Sequence, residues 1–172
     1  MVFGMDGSVN EFFVDNRPEW LGHLAEVVTV LGRFPVHIVL ILAVGFAIRR
    51  QSQAIAIATV AAVFAYGLNT VLKNLIDRAR PPEAGWFDGY NANGYSMPSG
   101  HSINAAVLGV TLYMWLPGRW RLVGPLVTLA VMWSRLELGV HWPSDVIVGA
   151  IIGAVIAIAF HKLAPKLLEV RQ

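Results

Sequence analysis

Three short groups of polar residues carry the side chains that could do chemistry in this chain. The first is Lys73 with Arg80 and Pro81, the second is 98–101 (Pro-Ser-Gly-His), and the third is 134–145 (Ser-Arg-Leu-Glu-Leu-Gly-Val-His-Trp-Pro-Ser-Asp). Arginine forks suit bidentate contact with phosphate oxygens, and a lysine adds a compact charge. Two histidines and a carboxylate remain for covalent and acid–base steps. The three groups together predict chemistry on a phosphate.

The second group predicts an anion site at the start of a helix. Pro98, Ser99 and Gly100 form a turn that opens directly into an apolar run. Such a helix end offers free backbone N–H groups and a hydroxyl to an anion. The chain has no cysteine, and its histidines and carboxylates show no pattern that resembles a metal site. We therefore expect no metal and no other cofactor.

The composition indicates an integral membrane protein with a single domain, 1–172. Of the 172 residues, 56% are hydrophobic and only 14% are charged, against about 25% charged in a typical globular domain. Several apolar runs approach or exceed the roughly 20 residues that cross a bilayer. The net charge of +2 comes mostly from Lys and Arg that flank apolar runs, which is a topology signal and does not indicate a nucleic-acid partner.

The apolar runs predict an all-α integral membrane bundle of five or six transmembrane helices. Five spans are expected at about 34–48, 54–76, 100–116, 122–138 and 142–163. Residues 1–33 mix acidic and apolar positions, which favours two interfacial helices over a first span. The bundle then covers 34–163, and 77–98 forms a long loop beside the site, with aromatic residues suited to the headgroup level.

Alternating helix directions put the three polar groups on one side of the membrane. The second and fourth spans end there, and the third and fifth spans begin there. The opposite side carries seven of the 13 Lys and Arg: Arg49, Arg50, Arg119, Arg121, Lys162, Lys166 and Arg171. Because the basic side of a membrane protein is cytoplasmic, we expect a multi-pass protein of the cell membrane with an extracytoplasmic site and a cytoplasmic C-terminus.

The three groups resemble the signature of the phosphatidic acid phosphatase type 2 (PAP2) superfamily, whose pattern is Lys-x6-Arg-Pro, then Pro-Ser-Gly-His, then Ser-Arg-x5-His-x3-Asp. The chain matches that pattern over 73–81, 98–101 and 134–145 without a departure. One such motif would be a weak signal, but three in order at matching spacing are highly specific. The resemblance covers about residues 70 to 150 and extends to small bacterial membrane lipid phosphatases and undecaprenyl-diphosphatases.

The resemblance implies a phosphohistidine mechanism. His141 is the expected nucleophile on phosphorus, and Asp145 is expected to accept its other ring N–H and fix the reactive tautomer. His101 is the expected general acid for the leaving oxygen and then the base for water. The expected phosphate ligands are Lys73, Arg80, Ser99, the Gly100 amide and Arg135. Nearby cations should lower the pKa of His141, and Asp145 should oppose that shift.

Each of these residues taken alone also has a structural interpretation. Ser99 alone would be a helix N-cap, Asp145 a favourable first-turn acid, and Lys73 or Arg135 a side chain that snorkels to the headgroups. Their coincidence on one side, in the order of the family, favours the site. The residues interpreted as structural are Asp77, Arg78, Ser134, Glu137, His37 and His161, and Asn104 is left undecided.

A site at the bilayer surface favours a substrate whose tail stays in lipid. We therefore expect a lipid phosphatase acting among bilayer lipids, with no protein partner that the sequence identifies. The resemblance favours undecaprenyl or another polyprenyl diphosphate, with phosphatidic acid, phosphatidylglycerol phosphate and a polyprenyl-phosphate sugar phosphate as open alternatives. Two other classes are a vanadate-dependent haloperoxidase and a non-enzymatic transport or lipid-binding protein. The apolar last span beyond Asp145 argues against a transport path.

Overall fold

The structure of the chain, a computed structural model, describes residues 4–50, 52–82 and 94–169. Within these residues the chain forms α-helices and short 3-10 turns and contains no β-strand, which confirms the all-α prediction. The helices are α1 (Gly4–Asp15), α2 (Glu19–Thr29), α3 (Phe34–Ala47), α4 (Ser52–Ile76), α5 (Gly100–Trp115), α6 (Val123–Glu137) and α7 (Pro143–Glu169), with 3-10 turns at Val30–Gly32 and Gly118–Leu122.

The five predicted apolar segments correspond one to one to α3 through α7, and local sequence explains where several of these helices begin and end. Pro35 lies in the first turn of α3, and Pro143 is the first residue of α7, where the missing N–H costs nothing. Gly139 has a φ of 64° and directly follows Leu138, the C-cap of α6, as expected of a left-handed residue after a helix. Gly118, with a φ of 53°, lies in the turn between α5 and α6. The predicted loop aromatics Trp86, Phe87 and Tyr90 lie outside the described residues.

Two stretches of helix are long and apolar enough to cross a membrane by themselves. They are α4, with a mean hydropathy of 1.9, and residues 143–163 of α7, with a mean hydropathy of 2.3. Only 28% of each apolar window is buried inside the protein, so both present mostly apolar surface to their surroundings. Residues Glu19–Gly32 and Phe34–Ala47 together form a third candidate, bent by 64° at the break between them. These features identify a membrane protein.

The central helix of the bundle is α5, which packs against α3, α4, α6 and α7. The spacing of Gly149 and Gly153 predicts close packing within a bundle, and the structure confirms it. A Cβ at Gly153 would lie 2.3 Å from the Ile103 carbonyl oxygen, and one at Gly149 would lie 2.6 Å from the Ser99 carbonyl oxygen. These glycines therefore let α7 approach the backbone of α5 at the level where the third motif meets the second.

The N-terminal segment folds into α1 and α2, with the break at Asn16, Arg17 and Pro18 that the sequence predicts. Both helices contact α6, and α1 also contacts α7. Their placement at a membrane interface stays a prediction. The burial of Asp6 departs from the pattern of a simple amphipathic helix. The sequence assigns Asp6 to the polar face of α1, but it is only 3% exposed.

Gly153→Ala should destabilise the bundle by about 1–3 kcal/mol, because overpacking a tight backbone contact forces the two helices apart. The measurement is the thermal unfolding midpoint of the purified protein in detergent. The matched control is Gly67→Ala in α4, where a Cβ meets nothing within 4 Å and alanine favours the helix. A midpoint for Gly153→Ala equal to or above that of the native chain would contradict the packing described here.

Candidate active site

The three motifs meet where four helices end or begin. Lys73 lies in the last turn of α4, His101 in the first turn of α5, and Arg135 in the last turn of α6. His141 lies between α6 and α7, and Asp145 lies in the first turn of α7. The Ser99 N–H donates to the Asp145 carbonyl oxygen at 3.1 Å. This bond ties the start of α5 to the start of α7 and brings the second and third motifs together.

His141 lies at the centre of the site and is only 2% exposed. Its Nδ1 is 3.5 Å from Oδ2 of Asp145, and its Nε2 is 3.4 Å from Nη1 of Arg80. Burial, followed by the charges of Arg135, Arg80 and Lys73, lowers the pKa of His141 well below its usual value. The lowering agrees with the effect predicted for nearby cations, and burial is the largest single cause of the lowered pKa. The imidazole is neutral at neutral pH, and Nε2 faces a guanidinium.

Arg80 is held by backbone carbonyls on either side of the site. Its Nε donates to the Gly94 carbonyl oxygen at 3.0 Å and its Nη1 donates to the Val140 carbonyl oxygen at 2.7 Å. Val140 directly precedes His141, so the same contact aligns the cation with the imidazole. A guanidinium is a planar fork of five N–H donors, a geometry that suits bidentate contact with phosphate oxygens.

Lys73 and Arg135 approach the site from α4 and α6. The Lys73 ammonium donates to the Tyr95 carbonyl oxygen and lies 3.4 Å from the Ser96 carbonyl oxygen. Arg135 is only 2% exposed, and its Nη1 donates to Oγ1 of Thr29 at 2.5 Å. Lys73, Arg80 and His101 are partly exposed, whereas Arg135, His141 and Asp145 are buried. The site thus opens on one side and has a buried floor.

The start of α5 shows why its motif needs these residue types. Ser99 caps the helix, since its Oγ accepts from the Ser102 N–H at 3.4 Å and from the Ser102 hydroxyl at 3.1 Å. A Cβ at Gly100 would lie 2.8 Å from Nδ2 of Asn69, so glycine allows α4 to approach. The Ser99 hydroxyl proton and the first amides of α5 are groups that a phosphate oxygen can use.

The residues of the N-terminal segment also touch the site, which the sequence did not predict. A Cβ at Gly32 would lie 3.0 Å from both Cβ and Cδ2 of His101. Asn104, undecided from the sequence, donates from Nδ2 to the Gly32 carbonyl oxygen at 3.0 Å. With Thr29 on Arg135, these contacts make the end of α2 and the turn after it a wall of the site. Thr29 and Gly32 belong to no motif, so the sequence offered no signal for them.

Arg78, which the sequence interprets as structural, pairs with a residue of the site and with a residue of α1. Its Nη1 lies 2.6 Å from Oδ1 of Asp145, and its Nη2 lies 2.6 Å from Oδ2 of Asp6. The available signal was its position inside the first motif, five residues after Lys73. Ser144 takes part in the same contacts, with its Oγ 2.6 Å from Nη1 of Arg78.

The residues 4–50, 52–82 and 94–169 contain no group of three or more His, Cys, Asp or Glu side chains that could hold a metal ion. The charged groups that act on His141 are instead the cations Arg135, Arg80 and Lys73, with Asp145 beside Nδ1. Such cations stabilise negative charge on phosphate oxygens. The arrangement can therefore bind a phosphate next to a neutral imidazole.

Comparison with known proteins shows which family this chain resembles. The sequence model of the PAP2 superfamily matches residues 54–169. The chain is 40% identical over 60 residues to an undecaprenyl-diphosphatase of Sulfolobus acidocaldarius, covering 35% of this chain and 29% of that protein. It is 34% identical over 113 residues to a lipid A 4'-phosphatase of Bacteroides thetaiotaomicron, covering 58% of this chain and 48% of that protein. The chain thus spans about half or less of the length of these two relatives.

A solved structure matches along nearly the whole chain. It is the crystal structure of a transmembrane PAP2-type phosphatidylglycerolphosphate phosphatase from Bacillus subtilis, with a TM-score of 0.82 and 28% identity, covering 94% of this chain and 85% of that one. The superfamily match extends over the larger part of the sequence and includes all three motifs. The chain therefore belongs to the PAP2 superfamily.

Proposed function

We propose that this chain is a metal-independent lipid phosphatase that cleaves its substrate through a phosphohistidine on His141. The observation that carries the proposal is the setting of the His141 ring, with a carboxylate oxygen 3.5 Å from Nδ1 and a guanidinium nitrogen 3.4 Å from Nε2. A proton on Nδ1 directed at Asp145 leaves the Nε2 lone pair on the side of Arg80. Phosphate oxygens bound by Arg80 would bring phosphorus to that lone pair.

The reaction then has two steps. In the first, Nε2 of His141 attacks phosphorus, the bond from phosphorus to the leaving oxygen breaks, and His101 gives its proton to that oxygen. In the second, water attacks phosphorus, His101 takes a proton from the water, and the nitrogen–phosphorus bond breaks to release inorganic phosphate. Splitting the reaction in this way replaces one difficult displacement by two easier ones.

The phosphate ligands in this proposal are the three cations and the start of α5. Lys73, Arg80 and Arg135 surround the imidazole, and Ser99 with the Gly100 amide lies at the helix N-terminus. Charge on the equatorial oxygens grows as the transition state forms, and preorganised donors in a site shielded from water stabilise it strongly. No metal is required for that stabilisation.

The proposed substrate is a lipid that ends in a phosphate or diphosphate, with a polyprenyl diphosphate as the first candidate. The similarity to an undecaprenyl-diphosphatase supports it. Phosphatidylglycerol phosphate is the second candidate and has equal support, because the B. subtilis phosphatase matches this chain over 94% of its length. The lipid A phosphatase relative adds a third headgroup of the same chemical class.

The proposed topology has α3 to α7 as five spans, with the site extracytoplasmic. It is supported by the position of the basic residues at the other end of the bundle. The ring of Trp115, at the end of α5, lies 6.3 Å from that of His161, and Arg50, just before α4, is close enough to His161 to act on it electrostatically. Basic residues at that end are typical of the cytoplasmic side.

His141→Ala should abolish phosphate release, by on the order of 10⁴-fold or more in kcat, because the nucleophile is lost. The measurement is phosphate release by purified protein in detergent with EDTA present throughout. It uses polyprenyl diphosphate, phosphatidylglycerol phosphate and phosphatidic acid as separate substrates, so that the ratio of rates selects among them.

His101→Ala is the companion variant in that assay, with an expected loss of about 10²–10⁴-fold. Release by the native chain that EDTA abolishes and magnesium restores would contradict the metal-independent mechanism. Release that persists in His141→Ala would contradict the nucleophile, and halide oxidation on addition of vanadate would point to a haloperoxidase.

The activity should persist at pH values below 6.5, where an unperturbed histidine is protonated. The lowered pKa of His141 keeps the ring neutral as the pH falls, so the acid limb of kcat/KM should lie below pH 6.5. Titration of the substrate phosphate in the same micelles, followed by phosphorus NMR, identifies the substrate's own contribution. An enzyme limb centred at or above pH 6.5 would contradict a neutral, buried nucleophile.

Single cysteines should report the orientation cleanly, because the native chain has none. Pro82→Cys, on the site side, should react with a membrane-impermeant maleimide in intact spheroplasts. Trp120→Cys, in the turn between α5 and α6, should react only after lysis. Both positions are exposed, so the reversed pattern would mean that the site faces the cytoplasm.

A further inference from the structure

Three buried charges link the first helix of the chain to the catalytic site. Asp6 on α1 is 3% exposed, Arg78 after α4 is 4% exposed, and Asp145 on α7 is inaccessible to solvent. One guanidinium nitrogen of Arg78 lies 2.6 Å from Asp145 and the other lies 2.6 Å from Asp6. Buried charges persist only when paired and hydrogen-bonded, so each of the three depends on the others. We refer to Asp6, Arg78 and Asp145 as the buried triplet.

Within the triplet, the two carboxylate oxygens of Asp145 have different partners. Oδ1 receives the guanidinium of Arg78. Oδ2 accepts the Trp142 N–H at 2.9 Å and faces Nδ1 of His141. Rotation of the carboxylate would break the short contact with Arg78. Arg78 therefore holds Oδ2 towards the imidazole.

Asp6 in turn fixes Arg78 and the start of α7. Its Oδ1 accepts the Ser144 N–H at 2.9 Å, and its Oδ2 accepts the Ser144 hydroxyl at 2.7 Å as well as Arg78. Ser144 lies in the first turn of α7, where backbone N–H groups lack partners within the helix. Asp6 thus supplies, from another helix, an acceptor to the residue that directly precedes Asp145.

The position of Arg78 separates it from the cations around His141. Its guanidinium lies between two carboxylates, contacts Ser144, and lies 5.6 Å from the ring centroid of Trp142. Two anionic partners neutralise its charge, since Nη1 donates to Asp145 and Nη2 donates to Asp6. A role in orienting Asp145 fits these contacts better than a role as a phosphate ligand.

We propose that Asp6 and Arg78 are positioning residues for the nucleophile, so that one side chain of α1 acts on the catalytic site; this inference rests on the proposed phosphatase function. Asp6 lies 48 positions before the region that the superfamily model matches, since that match begins at residue 54. In this proposal the amphipathic first helix supplies a positioning residue in addition to its packing contacts. It holds Arg78, Arg78 holds Asp145, and Asp145 orients His141.

The test is a double-mutant cycle between Asp6→Asn and Asp145→Asn. Asn is nearly isosteric with Asp and keeps an oxygen for the Ser144 N–H, but it removes the charge that holds Arg78. Asp6→Asn alone should lower kcat by about 10- to 100-fold, the usual effect of removing an outer partner of a functional side chain. KM should change by less than about twofold, because the phosphate ligands are untouched. In the Asp145→Asn background, Asp6→Asn should lower kcat by less than about twofold, since its effect passes through Asp145.

The matched control is Glu11→Gln, which removes an exposed carboxylate from the same helix and should leave kcat unchanged. Unfolding midpoints in detergent are measured for every variant. If Asp6→Asn does not yield folded protein, Arg78→Lys replaces it in the cycle. Lysine keeps the charge but lacks the fork that spans two carboxylates, so the same loss in kcat is expected.

Three results would overturn the inference: an unchanged kcat, an equal loss in both backgrounds, or a loss that appears only in KM. Native protein that releases phosphate in a His141-dependent manner while Asp6→Asn remains fully active would refute the positioning role and leave the phosphatase intact. Native protein that releases phosphate from none of the lipids would instead refute the phosphatase, and the inference would fail with it.

Discussion

A carboxylate without access to solvent joins four parts of this structure. Asp145 receives Arg78 from the segment after α4, the Trp142 N–H from the start of α7, and, through its backbone carbonyl, the Ser99 N–H from the start of α5. Asp6 on α1 reaches it through Arg78. Because this carboxylate is inaccessible to water, its partners must come from the protein. The polar ends of the helices are arranged to provide those partners, and His141 lies among them.

The helices, and the motif residues that the structure brings together, could be named from the sequence because each leaves a local signal. Apolar runs of the right length mark α3 to α7, and the spacing of the superfamily pattern marks Lys73, Arg80, Ser99, His101, Arg135, His141 and Asp145. The contacts of Asp6 and Thr29 could not be predicted. An acid on an amphipathic helix and a threonine near a helix end look the same whether they face water or a buried arginine. Arg78 was hidden for a related reason, since a basic residue after an apolar helix more often snorkels to the headgroups.

The length of an apolar segment is related to bilayer thickness only in a helix whose surface is exposed to lipid. The α4 helix and the first 21 residues of α7 are apolar, mostly not buried by the rest of the bundle, and long enough to span. The α5 helix has 16 residues and is buried along most of its length, because α3, α4, α6 and α7 surround it. Its environment is set by protein, so its length need not match a bilayer. The sequence pattern therefore predicts the five apolar helices, whereas the contact of each helix with the membrane depends on how the bundle packs.

Two contacts join the N-terminal helices to the functional unit of this protein. They are the contact of Thr29 with Arg135 and the contact of Asp6 with Arg78. Both partners lie upstream of residue 54, where the superfamily match starts. A fragment cut at that boundary would keep every motif residue and yet leave two buried guanidinium groups without these partners. The superfamily model matches the part of the chain that carries the motifs. The buried contacts of Thr29 and Asp6 extend the part that must stay together back to the first described helix.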